Sequence, residues 1–145
     1  METNGMNKTS PKGFTLIELV IALTVIGLLS TLAVPAYDNY VQRTRRTDAQ
    51  GALTGLANAM ERYHTANNTY AGATVGAGGI FAAESPLDGS TKFYDLSIAT
   101  SSVTAYVLYA TPKGGQAGNG RVELDSTGNR VWNTKDDGSG TDQTW

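Results

Sequence analysis

The hydrophobic pattern of this chain changes period twice. From Phe14 to Ala36 the side chains are predominantly apolar on every side, and one charge, Glu18, interrupts them. These 23 residues predict a helix roughly 34 Å long at the usual rise per residue, enough to cross the hydrocarbon of a bilayer. Tyr37 and Tyr40 follow, amphipathic aromatics suited to a membrane interface. Beyond them the apolar positions thin to Ala49, Ala52, Leu53, Leu56, Ala57, Met60 and Tyr63. Steps of three and one are helical spacing, so this half is an amphipathic helix with one face to bury. Arg43, Arg45, Arg46, Asp48, Gln50, Asn58, Glu61 and Arg62 fall mostly off that stripe. The two halves predict one helix of ~50 residues, far beyond the usual globular length. It should stop near Asn67 and Asn68, whose side chains compete for backbone hydrogen bonds.

Residues 71–91 are rich in glycine, alanine and serine and predict a long surface loop with one short helical turn from Ile80 to Glu84. From Lys92 the period becomes two. Tyr94, Leu96 and Ile98 alternate with polar neighbours, 103–110 is aromatic and β-branched up to Pro112, and Val122 and Leu124 alternate with Arg121, Glu123 and Asp125. Ser126-Thr127-Gly128-Asn129 reads as a tight turn that returns Arg130-Val131-Trp132 against the preceding strand. The expected fold class is therefore α+β: a long N-terminal helix whose second half packs on a four-stranded antiparallel sheet, because a sheet must bury its apolar side.

The N-terminal end carries the sharpest chemical signal. Residues 1–13 are polar, with Lys8, Lys12 and Pro11, and end in Gly13 immediately before the apolar run. A conventional secretory signal places its apolar region before the cut and loses it; here the run would remain. An ionised carboxylate such as Glu18 costs on the order of 2.5–3.5 kcal/mol inside a bilayer. That cost makes sense if a cation meets Glu18 once the helix leaves the lipid. The nearest candidate is a new amine on Phe14, made by cutting after Gly13, on a neighbouring helix shifted along a bundle. The simpler alternative is an anchor whose Glu18 reaches toward the headgroups. Farther along, Pro35 lacks an amide hydrogen and frees a carbonyl near Thr31, and Gly27 weakens the helix by roughly 1 kcal/mol relative to alanine. Together they mark where the helix can bend.

The run Lys12-Gly13-Phe14-Thr15-Leu16-Ile17-Glu18, with its basic leader and apolar continuation, resembles the type IV pilin family, which includes prepilins and pseudopilins. The resemblance covers about the first third of the chain, and the sheet phrases YDLSIAT, TAYVLYATP and VELDSTGNRVWN look like those of minor pilins of the type IVa class. It implies a leader, 1–13, removed by prepilin peptidase between Gly13 and Phe14, with N-methylation of Phe14. It also implies a membrane and filament-core helix over 14–36, in which Glu18 guides assembly and Gly27 and Pro35 permit bending. A periplasmic globular domain, 37–145, would include the amphipathic half-helix 37–66. The implied partners are other pilin subunits, the prepilin peptidase, the inner-membrane assembly machinery and, before assembly, membrane lipid. The implied product is a type IV pilus, or fimbrium, serving adhesion, twitching motility or DNA uptake. The protein would sit in the inner membrane and later in the extracellular filament. A pseudopilin of a type II secretion system is the nearest rival, and a pilin that binds DNA or a surface ligand is a second. Many pilins of this class close their C-terminal segment with a disulfide. This chain has no cysteine; Asn119 and Thr144 lie roughly where such a pair would stand. The tail from Thr134 must then be held by other means or stay mobile, with Trp145 free to dock on the sheet.

Composition excludes more than it assigns. Losing the leader's two lysines and Glu2 leaves 9 basic and 12 acidic side chains, a net charge of −3. That balance gives no general electrostatic reason to expect nucleic acid, although a local basic stripe is compatible with it. No enzyme is expected. The single histidine, His64, reads as structural or exposed, and with no cysteine a zinc site of usual type is excluded within one chain. No G-x-S-x-G elbow occurs, and the glycines of 115–120 lack the Gly-Lys pair of a phosphate loop. No cofactor is expected. The one metal candidate is calcium at Asp136, Asp137 and Asp142, weighed below a solvated acidic turn because no glutamate closes the loop.

Overall fold

The computed structural model describes residues 13–145. The chain divides into two compact units at Asp38 and Asn39. Helix α1 runs Leu16–Asn67, 52 residues, and contributes to both. Its start is fixed by a reciprocal pair of caps. The Thr15 hydroxyl accepts from the Glu18 amide at 3.3 Å, and the Glu18 carboxylate accepts from the Thr15 amide and hydroxyl at 3.3 and 3.2 Å. That is the S/T-x-x-E capping box. Pro35 does not end the helix. Upstream of it, Ser30 and Thr31 donate to the carbonyls of Ile26 and Leu28 at 2.8 and 2.7 Å, back-bonding of the kind that favours a bend in a helix. Among the described residues of the first unit the apolar side chains are all exposed, from Phe14 at 90% onward. An 18-residue window there has a mean hydropathy of 2.4 with nothing buried, which is the condition of a helix that meets lipid or other helices.

In the second unit, Ala49, Ala52, Leu53, Leu56, Ala59 and Met60 form the buried stripe of α1. The stripe is close to the spacing in the sequence, with Ala59 fully inside and Ala57 packed at the margin. It is covered by an antiparallel meander of six strands in sequence order, not four. These are β1 Glu84–Ser85, β2 Tyr94–Ser101, β3 Tyr106–Pro112, β4 Val122–Asp125, β5 Arg130–Asn133 and β6 Asp142–Thr144. Tyr94, Leu96, Leu108, Ala110, Val122 and Leu124 meet the helix stripe in one core. On β3 the alternation is clean, with Tyr106, Leu108, Ala110 and Pro112 inside, as period two requires. β2 slips register between Ile98 and Thr100, so it pairs with β3 through a bulge.

The first added strand corrects one expectation, and the last decides between the two alternatives open for the tail. The loop after α1 holds β1 and no helical turn at 80–84. Instead, 74–81 folds back on itself through Ile80 N–H to Thr74 O and Gly76 N–H to Phe81 O, both 2.8 Å. Phe81 is laid so close to α1 that a Cβ at Gly55 would strike its ring. Lys113 then pairs with Glu84 and Asp95, joining β1, β2 and the end of β3. The tail is not loose either. Asn133, 2% exposed, donates from Nδ2 to Gly138 O, Gly140 O and the Asp142 carboxylate at 3.0, 3.1 and 2.6 Å. Its Oδ1 accepts from the amides of Lys135 and Gly140 at 3.0 and 2.8 Å. One side chain thus shapes the 134–141 turn and sets β6 on the sheet edge. Trp145 docks as well, its Nε1 donating to the carbonyls of Glu123 and Val131 at 3.2 and 3.0 Å.

A second polar cluster fastens the far end of α1. Tyr70 and Tyr106 donate their hydroxyls to the Glu61 carboxylate at 2.9 and 3.1 Å, and their rings meet edge to face at 4.8 Å. His64 stacks on Tyr70 at 4.3 Å, which accounts for it structurally. Burial and then the hydrogen bond to Glu61 push both tyrosine pKa values up, and burial does the same to Tyr94.

Two outcomes are expected. Asn133→Ala should cost about 2 kcal/mol or more, since the five hydrogen bonds of one buried amide go unmade at once; chemical denaturation of the protein in detergent measures it. The raised tyrosines favour the neutral phenol in the folded state. Their contribution is therefore whole below pH ~10, the unfolded value, and is lost as pH rises through the folded values. Thermal stability should fall above pH ~10, and Tyr106→Phe should flatten that fall; an unchanged alkaline slope in the variant would refute the assignment.

Candidate functional site

Two places carry chemistry. The first is the start of α1. Gly13, Phe14, Thr15 and Glu18 lie around one shallow recess, and Gly13 and Phe14 precede the first helical residue, Leu16. The peptide bond between them therefore lies in exposed, non-helical chain. Glu18 is exposed and in contact only with Thr15 through the cap, so among the described residues its charge meets no cation. Gly27 lies in unbroken helix with open space around it. Lys8, Lys12 and the other residues of 1–12, where a cleaved leader is expected, lie outside the described residues.

The second place is a cleft of about 440 Å³ in the globular unit, between the 39–50 segment of α1 and strands β5 and β6. The Arg46 guanidinium lies over the Trp132 ring at 3.5 Å. Its Nη2 donates to the Asn119 side-chain oxygen. Asn119 Nδ2 donates to Gln42 Oε1 at 2.7 Å, and Trp132 Nε1 donates to Asn119 O at 2.9 Å. Asn119 therefore ties the 114–121 connection to α1 and to β5. Gly120 allows this: at φ 87°, a Cβ there would collide with the Asn133 carbonyl and the Trp132 indole nitrogen. Asn119 and Thr144, the positions noted for a missing disulfide, both line the cleft, and the hydrogen bonds of Asn119 run to Gln42, Arg46 and Trp132. Burial lowers the Arg46 pKa, with Tyr94 opposing; a guanidinium stays charged at any physiological pH. Arg43 is exposed at the cleft wall.

The calcium candidate is not assembled. The Asp136 carboxylate accepts from the amides of Gly118 and Gly120 at 2.6 and 2.8 Å. Asp137 accepts from the Ser139 amide at 2.9 Å, a bond that lowers its pKa, and Asp142 accepts from Asn133. Each carboxylate faces a different donor, and among the described residues no three acidic or histidine side chains converge on a point. The sequence made the arginine cluster at 43–46 visible but not the cleft. Asn119 and Trp132 had no local pattern to announce them, because their role depends on the return of β5 beneath the 114–121 connection.

These features can be set beside known proteins. The sequence model for "Type IV minor pilin ComP, DNA uptake sequence receptor" matches residues 35–120, and that for the "Prokaryotic N-terminal methylation motif" matches 8–34. The chain belongs to this family of type IV minor pilins, whose members are structural proteins. Fimbrial protein EcpC of Eikenella corrodens is 42% identical over 60 residues, 41% of this chain and 39% of that one. A fimbrial protein of Neisseria meningitidis serogroup B is 36% identical over 70 residues, 48% of this chain and 41% of that one. The chain thus matches about two fifths of the length of these relatives. The crystal structure of the non-core minor pilin PilV of Neisseria meningitidis aligns with a TM-score of 0.49 and 20% identity, over 72% of this chain and 93% of that one.

Proposed function

We propose that this protein is a minor subunit of a type IV pilus, held in the inner membrane by the first half of α1 with its globular unit in the periplasm. Prepilin peptidase cuts between Gly13 and Phe14 and the new amine of Phe14 is methylated. The inner-membrane assembly machinery then draws the helix into a filament among other pilin subunits. The observation that carries this reading is the exposed, apolar start of α1, in which a lone carboxylate, Glu18, sits four residues beyond Phe14 with no cation beside it among the described residues. In lipid that charge is costly. Beside the Phe14 amine of a neighbouring subunit it is paired, and the attraction of a desolvated pair is strong enough to select the axial register. Gly27 and Pro35 supply the weak points at which the helix adjusts to the packed state.

Mass spectrometry of the mature protein should find a chain beginning at Phe14 with one added methyl group. Glu18→Ala should leave the protein in the membrane. Removing one partner of a buried ion pair costs about 3–5 kcal/mol, so the variant's recovery in sheared filaments should fall more than tenfold. A mature chain still beginning at Met1, or a variant recovered at the normal level, would contradict the assembly role.

A second reading concerns ligand capture. The matching family is described as a receptor of DNA uptake sequences, and this favours duplex DNA as a ligand of the exposed globular unit. Full-length protein in neutral detergent should retard duplex fragments at about 50 mM salt, with affinity falling steeply as salt rises, as phosphate contacts dictate. Absence of any retardation at low salt would remove this reading and leave the structural role untouched.

A further inference from the structure

We propose that the cleft between α1 and the β5–β6 edge binds a carboxylated sugar. Its lining is chemically selective. Of the ten side chains around it, five are amides, two are guanidiniums, two are indoles and one is a hydroxyl. None is acidic and none is aliphatic, although the chain as a whole carries more acidic than basic groups. Amides offer a donor and an acceptor side by side, which is what the adjacent hydroxyls of a pyranose require. Gln50 and Gln143 line the cleft and their side chains have no hydrogen-bond partner among the described residues. Both tryptophans of the chain, Trp132 and Trp145, stand here and supply the cleft's apolar wall.

The two guanidiniums divide the work. Arg46 is fixed, stacked on Trp132 and bonded to Asn119, so its charge is held in place. Arg43, one helical turn away, is exposed and makes no side-chain hydrogen bond or ion pair among the described residues. A carboxylate entering between them meets one pre-positioned cation and one that closes on it, the bidentate chemistry for which arginine is suited. The volume, about 440 Å³, accommodates one or two sugar rings within the ordinary range of ligand sites.

A nucleic-acid strand fits this cleft less well. Its affinity comes from about 6–10 phosphate contacts along a track, and the cleft offers two cations. Its bases stack on open aromatic faces, whereas Trp132 is covered by Arg46, Trp145 faces Arg130 at 5.2 Å, and Phe93 and Tyr109 are covered by Arg45 and Arg121. A single carboxylate on a hydroxylated ring uses what the cleft presents. Such a ring occurs as a terminal sialic acid on animal glycans and as a uronic acid in plant or bacterial polysaccharides.

Because both tryptophans line the cleft, indole fluorescence reports on it directly. Full-length protein in lauryldimethylamine oxide micelles would be titrated with N-acetylneuraminate, galacturonate, neutral galactose, acetate and a short single-stranded oligonucleotide, at constant ionic strength. A saturable change with at least one of the two sugar acids is expected, in the millimolar range usual for a single weakly held ring, ~1 mM. Whichever of the two saturates at lower concentration identifies the source. Galactose and acetate should each be weaker by about tenfold, since each lacks half of the recognised chemistry. Arg43→Gln should weaken the sugar acid about tenfold, and Arg62→Gln, elsewhere on α1, should not. No saturation with either sugar acid, an equal response to galactose or acetate, an undiminished response in Arg43→Gln, or saturation by the oligonucleotide alone would overturn the proposal.

Discussion

The stripe from Ala49 to Met60 has to be covered, and most of the globular unit follows from that demand. A helix with one apolar face is not stable alone in water; it needs a partner surface of matching width. The six-stranded meander supplies it, with Tyr94, Leu96, Leu108, Ala110, Val122 and Leu124 facing inward. Burial of side chains of this size contributes about 1.5–3 kcal/mol each, so the middle strands are fixed by the core. The edges are not. β1 and β6, with two and three residues, add little apolar surface and are held instead by Lys113 and by Asn133.

That division explains what was readable in the amino-acid sequence. The middle strands and the helix stripe announce themselves through period, because alternate or every third and fourth residues must be apolar. Gly13, Phe14 and Glu18 announce themselves through an anomaly, one charge in a greasy run after a glycine. The edge strands have no such signature. Asp142-Gln143-Thr144 is wholly exposed and is a strand only because Asn133 turns the chain back. The short helical turn expected at 80–84 failed for a related reason: Phe81 is drawn toward Gly55, and that long-range contact outweighs local preference. The cleft was invisible because its parts, Gln42 to Arg46, Asn119, Trp132 and Gln143, are far apart in sequence.

The two halves of α1 obey different rules. In the first, the surface is predominantly apolar and nothing among the described residues covers it, so its energetics depend on its surroundings. In the second, one face is committed to the sheet and the others carry Arg43, Arg45, Arg46 and Glu61. Guanidiniums there lie over aromatic rings, Arg45 on Phe93 and Arg46 on Trp132 at 3.8 and 3.5 Å. Such contacts are worth ~0.5–2 kcal/mol each depending on desolvation, and they bury the stems of long side chains along the sheet margin.

The means by which the tail is closed has a further consequence. Asn133 and Asn119 close this region with amide hydrogen bonds in a chain that has no cysteine. Closure of that sort needs no oxidant and no thiol-exchange catalyst, and it forms as fast as the turn itself. Strong reductants leave it intact, and a compartment that cannot make disulfides can still produce the closed form. A change in redox conditions then carries no structural penalty at this end of the sheet.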